Sequence, residues 1–323
     1  MRRRDFLTAA GGIAAVSPFR GFAQQAPKLP MIGFMGAATP TAWAPWTSAF
    51  VRRLEELGWV DGKTIKIEYR WAEGSEERYA EIGAEFAKLD ASVLVAVGGD
   101  SAKKATSKIP IVVALMADPV RTGLVASLAR PGGNITGMSI QSTDLAGKRI
   151  EFLKEALPTL QRFAILAWVD YVGTMLEAGA VHAASKSFGL EVVTVPVHAA
   201  SDIASAFASL EPQMQALYVP PNLLMNTNRI LINKFAQQHR LPTMHGFREY
   251  VDSGGLMSYG PNTPNLFRRA AEYVDKILRG AKPNELPVEQ PTEFDLIVNL
   301  RVAKAIGLEL SPSFLARANE VIE

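Results

Sequence analysis

Short apolar runs that stop at glycine, proline or aspartate recur along this chain, and most are followed by a stretch with helical spacing. "MIGFMG", "VLVAVGGD" and "IVVALMADP" are such runs in the first half, and "FAILAWVD", "ALYVPP" and "GGLMSYG" are their counterparts in the second. An unbroken apolar run of about four to eight residues suits a strand buried on both faces, the kind found in parallel sheets covered by helices. The spacing predicts helices over 44–57, 76–89, 175–188, 203–210 and 263–279. In the second of these, Tyr79, Ile82, Phe86 and Leu89 fall on one stripe. "KTIKIEYRWAEG" alternates apolar and polar residues, as a strand with one solvated face would.

This strand–helix rhythm restarts near Lys148, giving two α/β units of similar order. A length of 323 residues with 48% hydrophobic content is enough for two cores, since single cores stop growing at roughly 250 residues. The predicted fold is α/β, two Rossmann-like, doubly wound lobes. "GAKPNELPVEQP", late in the chain and rich in proline, reads as an extended crossing between them.

The N-terminus reads as an export signal. Arg3, Arg4, Asp5, Phe6 and Leu7 give the R-R-x-F-L pattern of a twin-arginine signal, and an apolar run to Phe19 and the small residues Gly21 and Ala23 follow. Cleavage after Ala23 is expected, and an ordinary secretory signal is the alternative. The net charge is +2, of which Arg2, Arg3, Arg4 and Arg20 against Asp5 supply +3, so the remainder carries −1. No basicity is left to argue for nucleic acid. The absence of cysteine excludes disulfides and lipid attachment through an N-terminal cysteine. No later apolar stretch reaches the roughly 20 residues needed to span a bilayer, so no membrane insertion of the mature chain is expected.

The usual catalytic kits are missing. No Gly-x-Gly-x-x-Gly follows the first strand, "GGLMSYG" lacks the Lys-Ser/Thr of a phosphate loop, and Ser139 is followed by Ile140 and Gln141 where a nucleophile elbow needs a glycine. The four histidines, His182, His198, His239 and His245, form no metal-ligand pair at helical spacing, so neither a metal nor a cofactor is predicted. Asp118 before Pro119 is a candidate general base or, more simply, a cap or ligand contact.

In open α/β sheets ligands bind beyond the carboxyl ends of the strands. Those segments are 36–46, 98–101, 117–119, 139–141, 169–171, 220–222 and 245–247. They nominate Trp43, Trp46, Gly99, Asp100, Asp118, Ser139, Trp168, Asp170, Tyr171, Asn222 and His245 as ligand-binding residues, with Tyr259 near another strand end. The aromatic members offer flat faces to an aromatic or apolar ligand, and Asp118 and Asp170 are candidate partners for a ligand ammonium. Asp100 also reads as a helix cap.

"DPVRTGLVASLARPGGNITGMS", "GGLMSYG" and "KILRGAKPNELPVEQPTEFDLIVNL", in that order after "LEELGWVDGKTIKIEYRWAEG" and "IPIVVALMADPV", resemble the substrate-binding proteins of an ABC transporter family that includes tryptophan and other aromatic amino acid binders. The resemblance implies a type I periplasmic binding fold whose two lobes close on a small ligand at a three-segment hinge. The lobes are then expected over 30–135 with 258–288, and over 136–257 with 289–323, after the signal at 1–23. It implies a monomeric periplasmic protein that binds a small, amino-acid-like ligand, aromatic or carboxylate-bearing, and delivers it to a permease and its ATPase. A sensor subunit for a membrane receptor would share the fold, and an exported α/β enzyme is the third reading. A repressor of similar lobe architecture would need an N-terminal helix-turn-helix, where this chain has its signal.

Overall fold

The computed structural model describes residues 29–323; the export signal read at 1–23 lies outside them. Strand and helix alternate through β1 (Met31–Gly36), α1 (Ala44–Glu56), β2 (Lys66–Trp71), α2 (Glu76–Lys88), β3 (Val93–Val97), α3 (Asp100–Ala105), β4 (Ile111–Met116) and β5 (Ile135–Ser139). These strands form one sheet in the order β2-β1-β3-β4-β5, parallel throughout. β1 and β4 lie inside it and are almost wholly buried, whereas the alternating β2 lies at its edge.

The second unit runs through α4 (Ala146–Ala156), β6 (Arg162–Trp168), α5 (Val172–Ser187), β7 (Glu191–Val197), α6 (Asp202–Ala208), β8 (Leu217–Val219), α7 (Leu223–Thr227), α8 (Arg229–Gln238), β9 (Thr243–His245), α9 (Arg248–Asp252) and β10 (Met257–Pro261). The chain then forms α10 (Thr263–Leu278), a 3-10 turn at Pro283–Glu285, β11 (Phe294–Asn299), α11 (Leu300–Ile306), α12 (Pro312–Leu315) and β12 (Glu320–Ile322). The second sheet has the order β12-β11-β10-β9-β8-β6-β7, with only the β10–β11 pair antiparallel. Two mostly parallel sheets with helices are the α/β architecture expected from the sequence.

Local chemistry starts and stops the helices. Ser75 caps α2 by accepting the Arg78 backbone N–H at 3.1 Å, Glu76 and Glu77 occupy its first turn, and Lys88 its last. Asn262 caps α10 in the same way through Asn265 at 3.1 Å. That helix buries Leu266, Phe267, Ala270, Ala271, Val274 and Ile277 along one face. Each large apolar side chain so buried contributes about 1.5–3 kcal/mol. Its partners are α1 and the first sheet, so α10 returns to the first lobe although the strand before it belongs to the second.

The chain therefore crosses between the lobes three times: after β5, at Asn262, and after Glu289. The third crossing lies against the first, since Glu289 N–H donates to Gly137 O at 2.9 Å and Ser139 N–H donates to Glu289 O at 2.8 Å.

The sheet pairing corrects the expected lobe boundaries at two points. Residues 136–139, expected in the second lobe, complete the first sheet as β5, and residues 258–261, expected in the first, lie in β10 of the second. Gly137 accounts for the first correction. Its φ is +140°, and a Cβ there would lie 2.0 Å from Val113 O, so glycine permits this strand to lie close against β4. The turn at Pro131–Gly133 precedes one more strand of the same sheet instead of an exit from it.

Candidate functional site

Between the two sheets, at the carboxyl ends of their strands, lies a cavity of ≈ 240 Å³. Each of the seven strand-end segments singled out from the sequence supplies at least one wall residue. Six aromatic rings reach it: Trp43, Trp46, Tyr79, Trp168, Tyr171 and Phe247. Trp168 and Tyr171 are stacked, with ring centroids 5.4 Å apart and planes inclined by 24°. Trp43 and Trp46 are almost entirely buried in the first lobe, where Trp46 stacks on Phe267 at 5.5 Å, so little more than their edges faces the cavity. The Tyr79 hydroxyl donates to Val97 O at 3.0 Å and accepts from Val97 N at 2.9 Å, tying α2 to the end of β3.

The polar atoms of the wall divide into committed and free groups. Asn222 caps α7: its Oδ1 accepts from Met225 N at 2.9 Å, and its Nδ2 donates to Thr174 and to Pro220 O. The Thr122 hydroxyl donates to Asp118 O at 2.7 Å. Asp170 is exposed and paired with His198 at 2.8 Å. Asp100 follows Gly98 and Gly99, whose φ values of +76° and +93° turn the chain from β3 into α3. Among the described residues, its carboxylate is met only by its own backbone N–H, and its pKa is raised by burial, with Lys104 and Lys103 opposing. Burial also raises the Tyr171 hydroxyl, and the Asp100 charge adds to the effect.

Eight of the twelve nominated residues line the cavity: Trp43, Trp46, Gly99, Asp100, Trp168, Asp170, Tyr171 and Asn222. Four do not. Asp118 caps a turn, accepting the Arg121 N–H at 3.2 Å, and the cavity meets Ala117 instead. Ser139 is buried and its Oγ accepts from Gln141 N at 3.2 Å, while Ile140 forms the wall. His245 is fully buried against Tyr250, with ring centroids 4.4 Å apart, and Phe247 takes the place expected for it. The Tyr259 ring packs on Phe152 at 4.9 Å in the second core. In the first three cases the segment was right and the residue was one or two positions off. For Asp118 and Ser139, one position off, the reason is that successive side chains point to opposite sides of extended chain; His245 ends β9, and the wall begins beyond the strand at Phe247.

Several wall residues were not nominated, among them Glu76, Tyr79, Ser101, Lys104 and Asn226. Tyr79 belongs to the apolar stripe of α2 and reads as core; Asn226 lies on α7, a single turn with no periodic signal. Of these five, only Ser101 stood inside a segment already marked.

Opposite faces of the cleft touch directly. Trp46 Nε1 on α1 donates to Glu249 Oε1 on α9 at 2.6 Å, and burial raises the Glu249 carboxyl. Among the described residues no group of three or more His, Cys, Asp or Glu is placed to hold a metal ion.

Residues 45–322 match the family model described as ABC transporter substrate binding protein. The chain belongs to that family. It is 28% identical over 264 residues to the tyrosine-binding protein of Clostridioides difficile (strain R20291), an alignment that spans 80% of this chain and 76% of that relative. The fold is that of a Streptococcus pneumonia ABC domain solved in complex with L-Trp, with a TM-score of 0.85 at 23% identity over 91% of this chain and 100% of that one. A ligand-free, open substrate-binding protein with adhesive properties from Clostridium difficile overlays less closely. Its TM-score is 0.66 at 26% identity, over 91% of this chain and 99% of that one. As a member of the family, this chain is a substrate-binding protein, and its interlobe cavity is the candidate site.

Proposed function

We propose that the protein captures an aromatic amino acid in the interlobe cavity and delivers it to a membrane permease and its ATPase. The observation that carries this reading is the convergence of seven strand-end segments, bearing six aromatic rings, on one ≈ 240 Å³ cavity between two lobes. That volume is at the small end for ligand sites, about the scale of one free amino acid. The printed ligands of two relatives, tyrosine and L-Trp, support the same class. Trp168 and Tyr171 would face the ligand ring, with the edges of Trp43 and Trp46, the Gly99–Asp100 turn, Asp170 and Asn222 completing the wall.

A ligand that touches both lobes favours the closed state by its differential affinity for it. The closed form is then what the permease reads, and the ligand leaves chemically unchanged. The protein acts in the periplasm as a monomer, exported through the signal at 1–23. Among the described residues no helix is long and apolar enough to cross a membrane.

A thermal-shift screen of the chain from Gln24 onward tests the reading, using aromatic amino acids, branched amino acids, sugars and nucleosides. Ligand at about 100 times its dissociation constant adds roughly 2.7 kcal/mol, a rise of several degrees. A response confined to aromatic amino acids is expected. Silence across the panel would remove the ligand class, and a compound consumed during incubation would replace the binder with an enzyme. For the export route, Arg3→Lys with Arg4→Lys should leave folded protein in the cytoplasm.

A further inference from the structure

Among the described residues, one lysine and three acidic side chains line the cavity, and their placement is unequal. Glu76, Lys104 and Asp170 are exposed, and Asp170 already has His198 as a partner at 2.8 Å. Asp100 alone among them is drawn in from solvent, and no side chain hydrogen-bonds to it among the described residues. The neighbouring Lys103 is turned away, its ammonium donating to the carbonyls of Gly123 at 2.5 Å and Leu124 at 3.2 Å. Among the described residues that line the cavity, Asp100 is thus the carboxylate that is neither exposed nor hydrogen-bonded by a side chain, with aromatic rings and uncharged polar groups around it.

A carboxylate in such an enclosure has lost part of its hydration, and Lys103 and Lys104 act on it only through space, without a hydrogen bond. A ligand ammonium would supply both charge and N–H donors, and the faces of nearby aromatic rings attract the same cation through their quadrupoles. A ligand bearing only a carboxylate brings a like charge to Asp100 and is rejected.

We propose that Asp100 is the residue that binds the ligand's ammonium, and that the cavity selects arylalkylammonium ions, of which aromatic amino acids are one kind and simple aromatic amines another. The inference rests on the reading of the cavity as an aromatic ligand site. It goes further in making the ammonium the required group and the ligand carboxylate dispensable. Lys104, one helical turn beyond Asp100 and exposed at the rim, is placed to meet that carboxylate when it is present.

Isothermal titration of the chain from Gln24 onward, with three pairs of ligands, separates the possibilities. The pairs are L-tryptophan and L-tyrosine, tryptamine and tyramine, and indole-3-propionate and 3-(4-hydroxyphenyl)propionate. The amines are expected to bind within about tenfold of the amino acids, and the propionates about a hundredfold more weakly. Asp100→Asn should weaken both ammonium-bearing pairs by about tenfold or more and leave the melting temperature of the ligand-free protein nearly unchanged. Amino acids that bind while amines do not would overturn the inference and leave the aromatic reading standing. Propionates that bind as tightly as amines, or an Asp100→Asn variant with parental affinity, would have the same consequence. No binding by any of the six would overturn both. The wild-type series decides the question even if the variant folds poorly.

Discussion

Trp46 and Glu249 meet across the cleft: the indole N–H of the buried Trp46 on α1 donates to the carboxylate of the half-buried Glu249 on α9 at 2.6 Å. A hydrogen bond to a charged acceptor is worth about 1.5–3 kcal/mol. Removing the donor with Trp46→Phe, which keeps an aromatic ring against Phe267, should therefore lower the closed-to-open ratio of the ligand-free protein by about tenfold or more. Small-angle scattering would register a larger radius of gyration. Glu249→Gln retains an acceptor oxygen and should stay compact. A Trp46→Phe protein with the parental radius would show that other contacts hold the lobes together.

Arg149 fastens the second lobe next to two of the three crossings. Its guanidinium donates to Tyr259 O at 2.8 Å, to Glu177 at 2.7 Å, to Tyr218 at 3.1 Å and to Ser142 O at 3.4 Å. Arg149 and Glu177 are each 1% exposed. Arg149→Met would strand the carboxylate and is expected to remove about 3–5 kcal/mol, whereas Arg149→Met combined with Glu177→Leu should recover part of the loss. The midpoints of urea unfolding check this, and equal midpoints for the single and double variants would refute the coupling.

The cavity wall makes a discriminating pair of variants. Trp168→Ala removes a ring stacked on Tyr171 and should weaken an aromatic ligand by about tenfold. Asp118→Ala, at a capped turn outside the wall, should leave affinity unchanged. Titration of both variants against one ligand is sufficient, and a matching loss in Asp118→Ala would return that residue to the site.

Stability should fall as the medium is acidified, with His245 as a principal cause. Burial first, and then the Arg149 charge, lower its pKa from 6.5 to about 3. Between those values the unfolded chain takes up a proton that the folded protein refuses, so acidification favours unfolding. From pH 7 to pH 5 this one group accounts for a loss of about 2 kcal/mol. Melting temperatures measured across that range should decline less steeply in His245→Asn. Parallel profiles for the two proteins would show that the acid sensitivity lies elsewhere.

Much of the fold was legible because parallel strands buried on both faces write themselves as unbroken apolar runs, and the helices that cover them as stripes. The helix spacing placed α1, α2 and α10 within a residue or two of their ends. Single-turn elements such as α7 and α9 carry no period long enough to read, although they supply cavity residues or their neighbours. The seven cavity segments were found because ligand sites in this architecture follow strand ends, a rule about topology that needs no knowledge of packing. The residue within each segment was harder. Ile140 faces the cavity and Ser139 does not because successive side chains alternate, whereas His245 ends β9 inside the second lobe and the chain reaches the cavity only two residues later, at Phe247.

Primary structure was enough for the number of lobes, the class of sheet and the segments that bound the cavity, since each is expressed in local patterns of apolar, small and turn-forming residues, and its resemblance to a known family pointed to the family. Strand partnership was not. β5 completes the first sheet, and β10 joins the second just before the chain returns to the first lobe as α10. Those assignments depend on contacts between residues far apart in the chain, such as Gly137 against Val113 and Phe267 against Trp46. The same long-range packing set Glu249 beside Trp46 and drew Asp100 partly out of solvent at the cavity wall. A linear pattern specifies which face of an element is apolar, but the partner that covers it emerges only when the whole chain has packed.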